Sequence, residues 1–231
     1  MLVVRPEPGA GETIAALAAE GIPALACPPS RIIAADPLPA PPASFDAVVL
    51  TSANAARVMG RRLAGWPAWC VGAKTAEAAR AAGCAPVHSA EGDGRELAAR
   101  LAAEPAMTLF HPRGADTALA LGPLLAPAGH GYRDAIVYRA EPVGALDPEA
   151  AAALAARRVA LAAFWSPRGA RLFLDALDDA PAAARRALAE ATLLALSPAV
   201  AEALGGAAQG VVTASRPDGR CMHDLILGRW S

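Results

Sequence analysis

The chain has 231 residues, with 21 lysines and arginines against 22 aspartates and glutamates and a formal net charge of -1, enough for one large or two small domains. That balance argues against a general nucleic-acid or membrane-surface binder, which needs excess cations to displace counterions from phosphate; an anionic small molecule stays open through local groups. Hydrophobic residues at 55%, with only 20 Gly and 21 Pro, exclude a low-complexity disordered chain and leave a compact, alanine-rich globular protein.

Short apolar runs ending in turns alternate with alanine-rich helical stretches along the whole chain. Leu2-Val3-Val4 reads as a strand that turns through Arg5 to Gly11 into a helix near Glu12 to Glu20, and Ala24 to Ile33 reads as the second strand of a βαβ unit. Asp46 to Leu50 is a strand ending at Thr51-Ser52-Ala53-Asn54, and Ala68 to Val71 another ending at Gly72-Ala73-Lys74-Thr75, each with a helix behind it. Val87, Leu109-Phe110 and Ala135 to Tyr138 supply further strands. The last third repeats the pattern at Ala160 to Trp165 with Ser166-Pro167-Arg168, at Leu193 to Leu196 with Ser197-Pro198, and at Val211-Val212 with Ser215-Arg216-Pro217. This alternation means a parallel sheet covered on both faces.

An internal repeat shapes the domain plan. Trp69 to Leu101 aligns without gaps on Leu194 to Ile226, so that Ala76-Glu77-Ala78 falls on Ala201-Glu202-Ala203, Val87 on Val212 and Asp93-Gly94-Arg95 on Asp218-Gly219-Arg220. A similar echo relates the segment from Thr51 to Arg57 to that from Trp165 to Arg171. Two copies of one α/β unit account for both. The proline-rich segments Asp36 to Pro42 and Arg139 to Pro142 read as connections between domains. Residues 1–35 with 144–231 then form a discontinuous first domain, and 36–143 an inserted second domain that includes the linker strands, with a cleft between them.

No GxxxxGK[ST], HExxH or GxSxG motif is present, and no Cys/His cluster has ligand spacing, which disfavours the common cofactor and metal chemistries. Gly9-Ala10-Gly11 has Ile14 where a dinucleotide loop needs its third glycine and reads as a turn that starts a helix. Cys27, Cys70, Cys84 and Cys221 lack CxxC spacing and read as reduced thiols. The opening Met1 to Pro6 has no basic region followed by a long apolar stretch, so a cytoplasmic protein with no membrane partner is expected.

The informative feature is the set of strand ends that feed helix starts carrying small or hydroxyl residues: Thr51-Ser52, Gly72 to Thr75, Ser166-Pro167 and Ser197-Pro198. Helix N-termini leave free N–H groups at a positive dipole end, so several aimed into one cleft make a polyanion site. N-capping is the plainer account of any one of these hydroxyls, and convergence is what a function requires. Arg5, Lys74, Arg113 and Arg168 fall just past strand ends, where they either pair with ligand carboxylates or sit solvated. Tyr138 ends a strand at the domain junction and either donates into the cleft or braces the linker. Among the scattered His88, His111, His130 and His223, His111 beside Pro112-Arg113-Gly114 is the best placed for catalysis, though a structural role is the expectation for each.

Taken in order, Val4-Arg5-Pro6, the run from Phe45 to Ala55, the run from Val71 to Ala76, Phe110-His111-Pro112-Arg113-Gly114, Val137-Tyr138-Arg139 and Phe164-Trp165-Ser166-Pro167 resemble the bacterial type of uroporphyrinogen-III synthase over essentially the whole chain. The resemblance implies two flavodoxin-like, doubly wound parallel-sheet domains joined by a two-stranded linker, the first of them discontinuous. It implies a lyase of tetrapyrrole biosynthesis that cyclises hydroxymethylbilane, a linear tetrapyrrole fringed with carboxylates, to uroporphyrinogen III. Ring D is inverted through a spiro intermediate, water is lost and no cofactor takes part. Tyr138 matches the family's active-site tyrosine and is the catalytic candidate. Thr51, Ser52, Thr75 and Ser166 match positions facing the substrate; Ala53, Pro167, Arg5, Lys74, Arg113, Gly114 and Arg168 complete the expected binding set around them. Where many members carry threonines this chain reads Ser197-Pro198-Ala199-Val200, which leaves the backbone amides at Ser197, Ala199 and Val200 as the expected binders there. A monomer follows from the resemblance, and transient contact with hydroxymethylbilane synthase is a further partner. The reading from another class is a two-domain α/β binding or sensor protein that closes on a small polyanion without chemistry.

Overall fold

Strands, most of them short and apolar, alternate with alanine-rich helices throughout the computed structural model, which describes residues 1–117 and 119–230. In chain order the first half contains β1 (Leu2–Val4), α1 (Gly9–Ala19), β2 (Leu25–Ala26), β3 (Ser30–Ala34), β4 (Ala47–Leu50), α2 (Ala53–Met59), β5 (Ala68–Cys70), α3 (Ala73–Ala81), β6 (Val87–Ser89), α4 (Gly94–Leu101) and β7 (Thr108–Gly114). There follow α5 (Gly122–Leu125), β8 (Gly131–Pro142), α6 (Pro148–Ala155), β9 (Leu161–Phe164), α7 (Pro167–Asp178), α8 (Ala182–Glu190), β10 (Thr192–Ala195), α9 (Pro198–Leu204), β11 (Gly210–Thr213) and α10 (Gly219–Trp230).

The chain divides into two units, Met1–Arg31 with Glu141–Ser231, and Ile32–Ala140. The first carries a five-stranded sheet in the order β11-β10-β9-β1-β2 with parallel pairing throughout. Counted along the chain this is the 2-1-3-4-5 order of flavodoxin-like sheets. The second carries a six-stranded sheet, β3-β8-β7-β4-β5-β6, parallel from β8 to β6. Here β4 to β8 follow the order 3-2-1-4-5, so the flavodoxin order holds in the first unit and not in the second.

The two sheets are nonetheless one design. From the same edge, β11-β10-β9-β1-β2 corresponds position by position to β6-β5-β4-β7-β8, and only the point at which the chain enters differs. The units are circular permutations of each other, and the repeat in the sequence is the shared half: β5-α3-β6-α4 answers to β10-α9-β11-α10.

Both faces of each sheet are covered, as a parallel sheet requires. Leu2, Val4, Ala162, Phe164, Leu193 and Ala195 enter one core of the first unit, while the intervening Val3, Ala163 and Leu194 enter the other. In the second unit Val48 and Leu50 face one core and Ala47 and Val49 the opposite one. The period of two thus assigns the residues of these strands to a face, and with them what Thr51 and Ser52 at the end of β4 can reach.

Two expectations change. Ala24 to Ile33 is two strands in two sheets: β2 pairs with β1, and β3 lies beside β8. Pro28 and Pro29 between them have no N–H to continue a ladder. The chain also crosses between units inside β3 and β8, which run through the Arg31/Ile32 and Ala140/Glu141 boundaries. The proline-rich Asp36 to Pro42 segment therefore belongs to the second unit.

Candidate active site

Open α/β sheets bind ligands at the carboxyl ends of the strands where the strand order reverses. In the second unit that point lies between β4 and β7, whose ends deliver Thr51 and Ser52 from one strand and Arg113 and Gly114 from the other. A cavity of about 350 Å³ opens there, lined among others by Thr51, Ser52, Asp93, Gly114, Asp116 and Tyr138.

Tyr138 reaches this cavity through an irregularity. Along β7 and β8 the register runs Arg113 to Ile136 and then jumps from Gly114 to Tyr138, a β-bulge that leaves Val137 unpaired in the count. Tyr132 packs against one core; Ala135, Val137 and Tyr138 all pack on the other. Two consecutive residues on one face are what a bulge produces, and it turns Tyr138 toward Ser52. The phenol donates to Ser52 Oγ at 2.9 Å, and Ser52 Oγ also accepts from Asn54 N at 3.2 Å as the N-cap of α2. With two protons accepted, the serine keeps its own to offer. Gly114 makes room for the ring: a Cβ there would stand 2.8 Å from Cζ of Tyr138 and 2.9 Å from its oxygen.

Thr51 lies one residue out of phase with Ser52 and belongs to the other face of the sheet. Its Oγ1 is 3.0 Å from Nε2 of His111, whose Nδ1 is 2.7 Å from the Tyr132 hydroxyl. His111 is fully buried. Burial pushes its pKa down to about 4, helped by the cationic Arg113 and opposed by Asp134, so the ring is neutral at physiological pH. Burial, with Asp134 adding to it and Arg113 opposing, pushes the Tyr132 hydroxyl up to about 12. Arg113 Nε donates to Asp134 Oδ2, and its Nη1 donates to the Gly114 carbonyl at 3.1 Å. Arg113 and Tyr132 line a neighbouring cavity of about 420 Å³. Asp93 closes a capping box with Glu96 at the start of α4, fixing one acidic wall of the Tyr138 cavity.

The first unit has its own cavity, about 390 Å³, where the strand order reverses between β1 and β9. Arg5 donates to Thr13 Oγ1 at 2.9 Å and lies over the Trp165 ring at 4.9 Å. Burial holds its pKa below the ordinary arginine value, against the pull of Glu12 and Glu7. Gly9 is required by this approach, because a Cβ there would fall 2.5 Å from Arg5 Nε. The glycine-rich turn thus serves an arginine and, as expected, starts a helix.

The structure brings Thr51, Ser52, Gly114 and Tyr138 to one cavity, with Arg113 beside it. Ser166 caps α7 by accepting from Gly169 N at 3.0 Å, with Pro167 in its first turn and Arg168 exposed next to it. Ala53 opens α2 and packs on the core. Lys74 is exposed in the first turn of α3. Two expectations need correction: Thr75 is buried in the first turn of α3 rather than presented to the cavity, and Val200 is a core residue whose N–H goes to the Ser197 carbonyl at 3.0 Å. Ser197 makes no side-chain cap bond and Ala199 is exposed. His130 is held by Met107 N and the Leu101 carbonyl, and His88 stacks on Trp69, both structural duties. Tyr132, Asp93, Asp116 and Trp165 are site residues that sequence reasoning missed.

A family model described as "Uroporphyrinogen-III synthase HemD" matches residues 11–222. No curated protein matches. Among solved structures, uroporphyrinogen-III synthetase from Helicobacter pylori 26695 is 18% identical with a TM-score of 0.61, covering 90% of this chain and 93% of that one. A mutant uroporphyrinogen III synthase from the extreme thermophile Thermus thermophilus is 21% identical with a TM-score of 0.51, covering 100% and 98%. These likenesses show the shared fold, and the family match covers most of the chain. The chain therefore belongs to the uroporphyrinogen-III synthase family, lyases of tetrapyrrole and heme biosynthesis.

Proposed function

We propose that this chain cyclises hydroxymethylbilane to uroporphyrinogen III, inverting ring D and releasing water through a spiro intermediate. Departure of the hydroxyl leaves an azafulvenium cation. Ring D attacks it through its substituted α-carbon, and the spiro product fragments and recloses. The Tyr138–Ser52 pair in the cavity at the β4/β7 switch point carries the reading. Tyr138 donates a hydrogen bond to Ser52, and Ser52 keeps its own proton to hydrogen-bond the departing hydroxyl. Asp93 and Asp116 in the same lining supply negative potential that favours the cation.

Hydroxymethylbilane closes by itself to the type I isomer, so the protein's main task is to hold a flexible chain in the spiro-competent conformation. Its acetate and propionate groups would meet Arg5, Lys74, Arg113 and Arg168, the positive ends of α2 and α7, and the backbone near Ser197 and Ala199. The same instability favours rapid hand-over from hydroxymethylbilane synthase to a monomeric enzyme in the cytoplasm.

The test offers freshly generated hydroxymethylbilane to the purified protein and separates the type I and type III uroporphyrins after oxidation. Type III product is expected. Type I alone, from protein shown to be folded, would overturn the reading in favour of a protein that binds a polyanion without chemistry.

A further inference from the structure

His111 has no part in the chemistry just described, yet both of its ring nitrogens are engaged and the ring is sealed from solvent. It bridges two cavities: Thr51 lines the one that holds Tyr138, and Tyr132 lines its neighbour. We propose that His111 is a positioning residue that holds the Thr51 hydroxyl as a hydrogen-bond donor toward a substrate carboxylate, its own tautomer being set by Tyr132.

Proton accounting leaves two choices. A neutral imidazole carries one N–H, so the chain Tyr132–His111–Thr51 has two arrangements. In the first, the Tyr132 O–H donates to Nδ1, Nε2–H donates to Thr51 Oγ1, and the threonine proton is left to point into the cavity. In the second, Nδ1–H donates to the Tyr132 oxygen, Thr51 spends its proton on Nε2, and only lone pairs face the ligand. A carboxylate needs a donor, so only the first arrangement serves a substrate fringed with carboxylates. It also gives the half-buried tyrosine a use for its proton at 2.7 Å. The residues behind the threonine thus decide what it presents, as they do for histidines oriented by a hydrogen bond at their far nitrogen.

The proposal rests on the functional reading for the identity of the ligand and stands apart from it for the tautomer. ¹⁵N spectra of the resting protein, with the ring nitrogens assigned through His111→Gln, are expected to show the Nε2–H form in the wild type and its loss or mixing in Tyr132→Phe. An Nδ1–H form in the wild type overturns the proposal whatever the product assay gives. In steady-state assays Thr51→Val and Tyr132→Phe are each expected to raise KM by about three- to tenfold, the share of one net hydrogen bond, with kcat nearly unchanged. The double variant is expected to be no worse than Thr51→Val alone, because Tyr132 acts through Thr51. Additive losses, or losses confined to kcat, would mean that Tyr132 and His111 merely support the fold, and would overturn it. Should type III product be absent from the wild type, the substrate assignment fails and the tautomer experiment alone decides whether His111 holds Thr51.

Discussion

Tyr138 and Ser52 form a pair in which one group's proton is committed and the other's is free, so removing the phenolic oxygen leaves Ser52 able to act with less support. Tyr138→Phe is expected to lower kcat by roughly 100-fold, the low end of what a positioned proton donor contributes, with circular dichroism and melting unchanged. Unaltered steady-state kinetics would remove Tyr138 from the mechanism. His111 yields a prediction of another kind. Its folded pKa of about 4 lies below the ordinary value of 6.5, so between those values the unfolded chain binds the proton and the folded one does not. Stability from keeping the ring neutral is fully present above about pH 6.5 and is lost as pH falls toward 4. In urea unfolding, the step from about pH 7.5 to about pH 4.5 should cost the wild type about 2 to 3 kcal/mol more than it costs His111→Gln; equal losses would mean the ring is not buried neutral. That Thr51, Ser52 and Tyr138 would stand at strand ends was legible in the sequence, and the fold adds that they line one cavity. Tyr132 was not, because its role depends on a neighbour in space, His111, that no local spacing announces.

At the scale of elements, the bulge in β8 is what the sequence conceals. A strand read with strict alternation puts Tyr138 on the face of Tyr132, and only the extra residue brings it over Ser52. The end of β7 is built to match, since Gly114 leaves the phenol its space. Gly114→Ala is expected to fold, because the backbone there needs no left-handed conformation. Its Cβ should push the ring off Ser52 and lower kcat at least as far as Tyr138→Phe does; normal turnover would show that the ring tolerates displacement. Apolar runs made most strands readable, but Ala24 to Ile33 misled: apolarity alone does not reveal that Cys27-Pro28-Pro29 changes sheets. Asp93 entered the sequence reading only through the repeat, and its place on the wall of the cavity required the fold.

For the whole molecule, the repeat in the sequence and the permuted sheets describe one duplication with two entry points. Each unit has a core on each face of its own sheet, and the inserted unit begins and ends in strands adjacent in one sheet, with Ala35 N donating to the Val137 carbonyl at 2.9 Å. A fragment of residues 30–142 is therefore expected to fold alone, with a single cooperative urea transition and dispersed amide resonances. A fragment without a transition would mean that its cores need the rest of the chain. The permuted strand order of the second unit could not be read from the sequence, because residue patterns specify strands and faces while leaving open where along a set of neighbours the chain begins.

That choice of entry point bears on how the polypeptide is made. β1 leaves the ribosome well before its partner β9, Leu2 finding Ala162 across the entire inserted unit. At about 5–20 residues per second the nascent chain holds β1 with one edge unpaired for on the order of 10 s, while the inserted unit is already complete. β1, all of whose residues are buried in the finished protein, is thus a strand that waits through most of synthesis for its second neighbour.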